Sequence, residues 1–515
     1  MNTRDLAWRP VVAAVNAGQR VLIHHHSLYR LLFVDALDPF RWNISRHRAA
    51  YVARRAQQRV PAYRDFYRQT GHVDIRASAW DQVPVTDKES FAKRYPIEER
   101  CWGGFLPSRG VTVDESSGST GSPTNWVRGW DEQKETRALL QLSFSAAFGR
   151  EPLFAINAFV LGAWATGLVV SQSLGEVCIL KSTGSDATKI LSTMTAFGPE
   201  YHYVIMGYPP FLKSLVDNHD FDWHRYTVDA VYGGEAITDQ MRDHLSKTFV
   251  RVVGSYGASD LEVNIAHENE FTIALREALA TDETLRNELV HDFGSLPSVF
   301  QYDPLDYYIE SNERNELLFT LNRPSTIAPK VRYNLHDVGH TLRYRDAIAA
   351  IERAGRNDIL EHLRARGVRV LNLPLLFHYG RSDLSVSFFG ATVSPEGIRQ
   401  ALHALPALDG AVESFRAFNA QNENDDTALV VAVELASGRD KATFDILAVQ
   451  SQFAAELGRI DRDFATVYST APIALRPEIR VYDHQTGPFQ DGHTKIKHTY
   501  VAGVIQYDDI PGLAD

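Results

Sequence analysis

Only two cysteines, Cys101 and Cys178, occur in the 515 residues. They lie far apart without C-x-x-C spacing, which excludes a disulfide framework and a cysteine zinc site and predicts a reducing, cytoplasmic setting. Long apolar runs are missing as well. No stretch approaches the length needed to span a bilayer, and the start from Met1 to Pro10 is polar, so neither a membrane segment nor a signal peptide is expected. Positive charge is not in excess: 53 Lys and Arg against 64 Asp and Glu leave a net charge of −11, which argues against a general nucleic-acid binder. Internal repeats, a nucleophilic serine elbow and zinc-ligand spacings do not occur. Three adjacent histidines, His24 to His26, cannot all point one way on a helix and read as a solvated or locally packed cluster.

What is present is ordinary for a globular protein: 44% hydrophobic and 23% charged residues, in a chain long enough for two or more domains. Helical patterning dominates the start. Ala49, Val52, Ala53, Ala56 and Val60 share one face between Ile44 and Gln69, with arginines on the other. The extended stretch Val83-Pro84-Val85 then leads to a cap at Thr86 or Asp87.

From Asp131 to Tyr344 strands and helices alternate. Strand patterns fall at Leu153 to Leu161, Tyr203 to Met206, Val228 to Tyr232 and Val250 to Gly254, separated by helical stretches. Such alternation implies βα units and an α/β fold with helix-covered sheets, whose ligands are expected at the carboxyl ends of the strands. Glu262 to Phe319 reads as an acidic, helical insertion with no chemical role. After Leu384 a smaller α/β unit is expected, with a strand at Thr427 to Leu435, a helix at Lys441 to Leu457 and a strand at Ile479 to Tyr482.

One stretch stands out, Ser116-Ser117-Gly118-Ser119-Thr120-Gly121-Ser122-Pro123-Thr124. Its glycines let the backbone bend around an anion, and its amides and hydroxyls can donate to phosphate oxygens. The Walker spacing G-x-x-x-x-G-K-[ST] is absent. A flexible Gly/Ser linker has a similar composition, but flanking Val111 to Val113 and Asn125 to Arg128 favour a turn between ordered segments.

This stretch resembles the phosphate-binding loop of the adenylate-forming superfamily, and Thr124, where many members carry Lys, resembles its phenylacetate-CoA ligase-like branch. "VPAYRDFY" and "VPVTDKESF" resemble the amino-terminal region of that branch. Further motifs follow in family order. Gly233-Gly234-Glu235 resembles the turn that lies along the adenine; taken singly, it is equally a tight strand-to-helix turn. Tyr256-Gly257-Ala258-Ser259-Asp260 resembles the family's Tyr-Gly-x-Thr-Glu. The resemblance implies a ring stacked on adenine for Tyr256, an α-phosphate contact for Ser259 and a Mg²⁺ ligand in Asp260, with Glu262 as substitute. Asp260 is equally suited to capping the next segment. Asp337, in Lys330-Val331-Arg332-Tyr333-Asn334-Leu335-His336-Asp337, matches the ribose ligand. Arg381 and Asp383 match a nucleotide-binding Arg and the hinge of a rotating lid; an Arg and an Asp two apart are also a common surface pair. Near the chain end Lys495 is preferred to Lys497 as the lysine that neutralises the acyl-phosphate transition state, although Thr494 replaces the family's Gly. Both lysines equally fit a solvated strand face.

The resemblance therefore implies an ATP- and acid-binding domain over 1–380, with 1–110 mostly helical, and a mobile lid over 381–515. The catalytic set is Lys495, Thr120 and Asp260, and the nucleotide set Ser116, Ser117, Gly118, Ser119, Thr120, Gly121, Gly233, Gly234, Glu235, Tyr256, Gly257, Ser259, Asp337 and Arg381. Asn157, Phe159, Trp164, Gly207 and Tyr208 are expected around the acid, although such residues also serve as plain core. The implied activity is ATP- and Mg²⁺-dependent conversion of an aryl or other apolar carboxylic acid to acyl-AMP, then transfer to coenzyme A. Transfer to an acyl-carrier protein or an amine, and a non-catalytic nucleotide-binding homologue, stay open, as does the choice between monomer and homodimer.

Overall fold

The computed structural model describes residues 3–71, 75–116, 124–149, 152–162, 165–217, 219–237, 239–291, 296–382, 386–408, 411–421, 427–489 and 504–506. The amino-terminal part is helical as expected. The helical pattern over 44–69 is two helices, Asp38–Arg59 and Pro61–Gln69. Val60 separates them because a residue before proline is pushed out of the helical region, and it adopts φ −110°, ψ 113°. Asp87, not Thr86, caps the next turn: the Ser90 amide donates to its carboxylate at 2.6 Å.

The serine- and glycine-rich stretch is flanked by β1 (Val111–Ser116) and β2 (Thr124–Gly129), an antiparallel hairpin with Ser116 opposite Thr124. The helix Trp130–Phe148 follows. An eleven-stranded sheet forms the body of the protein. Its parallel half holds β3 (Leu153–Asn157), β4 (Ile179–Ser182), β5 (His202–Gly207), β6 (Thr227–Gly233) and β7 (Val252–Tyr256), in the order β4-β3-β5-β6-β7. Helices Ala187–Phe197, Pro209–Asp217 and Asp239–Leu245 connect these strands. β5 is wholly buried beyond His202, as a strand covered on both faces must be.

The antiparallel half continues through β8 (Ala266–His267), β9 (Ser298–Tyr302), β10 (Tyr307–Ser311), β11 (Glu316–Leu321), β12 (Tyr333–Leu342) and β13 (Leu375–Arg381), in the order β8-β9-β13-β12-β11-β10. The expected helical insertion is thus only half right. Helices Glu270–Thr281 and Glu283–Leu289 form, but the rest supplies β9 and β10, where five consecutive buried residues in Ser298–Tyr302 complete the sheet.

Beyond β13 come the small hairpin of β14 (Val386–Phe388) and β15 (Ala391–Val393), then a separate four-stranded carboxy-terminal sheet of β16 (Val412–Gln421), β17 (Thr427–Leu435), β18 (Glu478–Tyr482) and β19 (Val504–Gln506). The helix expected over 441–457 is a short 3-10 turn followed by Ile446–Ile460. Among the described residues no helix is long and apolar enough to cross a membrane.

Candidate active site

The last residue of β7 carries the first element of the site. Tyr256 lies where the parallel half meets the antiparallel half, and its ring packs among Phe300, Phe319 and His378. The sheet curls so that β12, four strands along in pairing order, brings Asp337 to it, and the Tyr256 hydroxyl donates to the Asp337 carboxylate. On the other carboxylate oxygen converge His378 Nε2 at 3.8 Å and an Arg381 guanidinium nitrogen at 3.7 Å. Burial pushes the Asp337 carboxyl up, but the hydrogen bond and charge of His378, then Arg381, outweigh it and hold the group below its ordinary value.

One turn of chain carries the second element. After Tyr256 the backbone folds so tightly that a Cβ on Gly257 would sit 2.7 Å from the Asn264 amide and the Glu262 carbonyl, so only glycine fits. Arg128 of β2, paired with Asp114 at 3.1 Å and Glu132 at 3.4 Å, donates to the Ser259 carbonyl and ties this turn to the hairpin. Asp260 then accepts from the Tyr333 hydroxyl at 2.8 Å and from the Ser116 hydroxyl. Burial raises its carboxyl, yet the charges of Lys88 and Lys330 with these two hydrogen bonds keep it below the usual range. Ser116 also accepts from Trp126 Nε1 at 2.8 Å, so the base of the hairpin and Asp260 form one cluster.

Tyr333 and Asp337 stand four residues apart on β12, about 13 Å of strand. That span separates the two carboxylates' anchor points, and both clusters hang from the same two elements, the 256–260 turn and β12. Glu316, which sequence reasoning missed, fixes the bend between them. It accepts from Ser382 Oγ at 2.5 Å, Asn312 Nδ2 at 2.8 Å and Asn334 Nδ2 at 2.9 Å, with His336 Nδ1 at 3.4 Å. Burial opposes its ionisation, but these donors hold it at about 2. His336 has a left-handed φ of 65°, a strained bend beside Asp337 that the Glu316 network holds in place. From the other side Thr86 bridges Tyr333, its amide donating to the Arg332 carbonyl at 3.1 Å. The only sequence signal for Glu316 is a charge opening an otherwise apolar strand.

The remaining expectations divide. Gly233 ends β6 and Gly234 follows it; Gly234 has φ +81° and a Cβ there would meet the Tyr208 ring at 2.7 Å. Glu235 is turned toward the carboxy-terminal part and accepts from the Gly390 amide at 2.7 Å and Ser387 Oγ at 2.8 Å. Phe159 and Tyr208 pack edge to face at 5.2 Å, and Tyr208 lines a cavity of about 170 Å³ with Val160, Phe211 and Phe389. Gly207 is buried at the end of β5. Asn157 is fully buried, and its amide donates to the Gly167 carbonyl and Ser171 Oγ, both at 2.8 Å, so it braces a neighbouring helix. Glu262 is not a spare metal ligand. It is ion-paired with Arg323 and accepts from the Tyr307 hydroxyl at 2.6 Å. Ser117, Gly118, Ser119, Thr120, Gly121, Trp164, Asp383, Lys495 and Lys497 lie outside the described residues.

A Mg²⁺ ion needs one or two carboxylates together with phosphate and water oxygens. Asp260, held ionised at the base of the hairpin, fits that requirement as a single protein ligand. Among the described residues no set of three His, Cys, Asp or Glu side chains forms a closed metal site.

No family model matches the chain, and no curated protein matches it. Solved structures do. A 2-hydroxyisobutyryl-CoA ligase with 2-HIB-AMP and CoA in the thioesterification state is similar over 91% of this chain and 90% of its own, at 12% identity and a TM-score of 0.61. The same ligase in the postadenylation state with R3-HIB-AMP gives 0.51 at 13% identity over 91% and 90%. The amide bond synthetase McbA from Marinactinospora thermotolerans overlaps 73% of this chain and 68% of its own at 15% identity, with a TM-score of 0.45. At these identities the likeness establishes the fold, the α/β architecture of adenylate-forming ligases with a carboxy-terminal sheet domain.

Proposed function

We propose that the protein activates a carboxylic acid with ATP, forming acyl-AMP and pyrophosphate, and passes the acyl group to a thiol, with coenzyme A as the preferred acceptor. The observation that carries this reading is the pairing of two ionised carboxylates on one strand and one turn. Asp337, backed by Tyr256, His378 and Arg381, presents acceptors for two vicinal ribose hydroxyls. Asp260 stands at the base of the hairpin whose tip would wrap the phosphates.

The chemistry needs positioning and charge neutralisation more than covalent help. A substrate carboxylate attacks the α-phosphorus, the bond to the bridging oxygen breaks, and pyrophosphate leaves with the electron pair. Asp260 would hold Mg²⁺, which supplies neutralising charge for the phosphates. Asp337 fixes the sugar, and Lys495 would neutralise the transition state from the lid. The acid pocket is assigned to the Phe159 and Tyr208 side of the sheet, where the 170 Å³ cavity lies. Within the fold the chain is placed beside the phenylacetate-CoA ligase-like branch on the strength of Thr124 and the amino-terminal segments.

A pyrophosphate-release screen over aryl and fatty acids, with and without coenzyme A, tests the reading. Acid-dependent release that consumes coenzyme A supports it; acid-dependent release with turnover only on amines or a carrier protein replaces the acceptor. Nucleotide binding with no release for any acid, in protein whose binding is intact, favours a non-catalytic homologue.

A further inference from the structure

Lys330 stands three residues before β12 and is 6% exposed. Its ammonium lies 3.6 Å from the centroid of the Trp126 ring and 4.8 Å from that of Tyr333. Among the described residues the ammonium makes no hydrogen bond and no ion pair, and it is held against the two aromatic faces. Arg100 lies over the same Trp126 ring at 5.6 Å, is 8% exposed and likewise has no carboxylate partner among the described residues. Both line one small cavity of about 10 Å³ with Asn125 and Ala328. Arg128, the third cation there, is already neutralised by Asp114 and Glu132.

Two buried cations with no ion pair among the described residues oppose folding, because the more distant Asp260 and the aromatic faces return only part of the desolvation loss. Burial, reinforced by Arg100 and Arg128, accordingly depresses the Lys330 ammonium far below an ordinary lysine. The place is specific. Trp126 is bonded to Ser116 at the end of β1, and Tyr333 to Asp260, so the ammonium sits at the base of the hairpin, within electrostatic reach of Asp260.

We propose that Lys330, backed by Arg100, is the counter-charge for the β- and γ-phosphates of the nucleotide and for the departing pyrophosphate. The assignment rests on the function proposed above. An anion arriving at the cavity mouth completes a charge-assisted hydrogen bond that the described residues leave unmade, while AMP, held at Asp337, does not reach it.

Lys330→Met keeps the length and apolar stem and removes the charge. Magnesium-ATP and magnesium-pyrophosphate binding, measured by calorimetry on the full chain, weaken about 10- to 100-fold, AMP binding changes by less than about threefold, and Lys330→Arg recovers most of the loss. The thermal midpoint without ligand stays level or rises, since a buried charge has gone; a merely structural lysine would lower it. Lys330→Gln carries the same readouts should the Met variant not fold. ATP and pyrophosphate bound as tightly as by wild type, or AMP weakened as much as ATP, overturns the assignment and leaves the proposed function standing. Wild-type protein that binds neither AMP nor ATP overturns both.

Discussion

At Asp337 three donors from two strands surround one carboxylate, and every charge there has its complement. At Asp260 a phenol and a serine hydroxyl serve the carboxylate, and the cations nearby, Lys330 and Arg100, have no acceptor of their own among the described residues. The first end is finished by the protein and can bind a neutral sugar without rearranging charge. The second end, among the described residues, holds cations outside any ion pair, and under the proposal an anion completes it. In the proposed reaction, orientation and charge neutralisation are thus divided between the two ends of one strand.

Breaking the finished end should have the largest effect. Asp337→Ala removes the carboxylate on which Tyr256, His378 and Arg381 converge, and AMP and ATP affinity should both fall by about 100-fold or more in calorimetry. Asp260→Asn strikes the unfinished end. Mg²⁺-supported pyrophosphate release should fall by about 10- to 100-fold while AMP binding holds, which a Mg²⁺ titration of both variants would separate.

Glu316→Gln sharpens the comparison by loosening the bend between the ends. Loss of the charged acceptor should cost about 1–3 kcal/mol in denaturant unfolding. Its sign with pH is fixed. A carboxyl whose folded value is about 2 stabilises the protein above its unfolded value of 4.5 and loses that contribution as pH falls toward 2, so the variant should show a shallower acid limb over that window. The smallest effect belongs to Tyr256→Phe. One hydrogen bond to Asp337 is lost while His378 and Arg381 remain, so AMP affinity should drop by less than about tenfold.

Much of this was legible from residue order. Strand and helix alternation located the parallel half, because buried parallel strands read as continuous apolar runs, and the Tyr256 and Asp337 motifs named partners that the sheet brings into contact. The misses share a physical cause, long-range pairing. Glu262 looked available until Arg323, 61 residues on, was found to neutralise it. Residues 298–302 were absorbed into an acidic helical stretch because nothing local shows that β13, more than seventy residues later, will pair with them. Lys330 carries no signal of its own in the sequence, and only Trp126, from the distant hairpin, reveals that it is enclosed.

The claim that one ATP spans both ends is tested most directly by calorimetry of magnesium-ATP against wild type, Asp337→Ala and Asp260→Asn. The account predicts one ATP per chain, displaced by AMP, weakened by either substitution, with the Asp260 effect vanishing for AMP. ATP that binds undiminished to Asp337→Ala, or that AMP cannot displace, would contradict it.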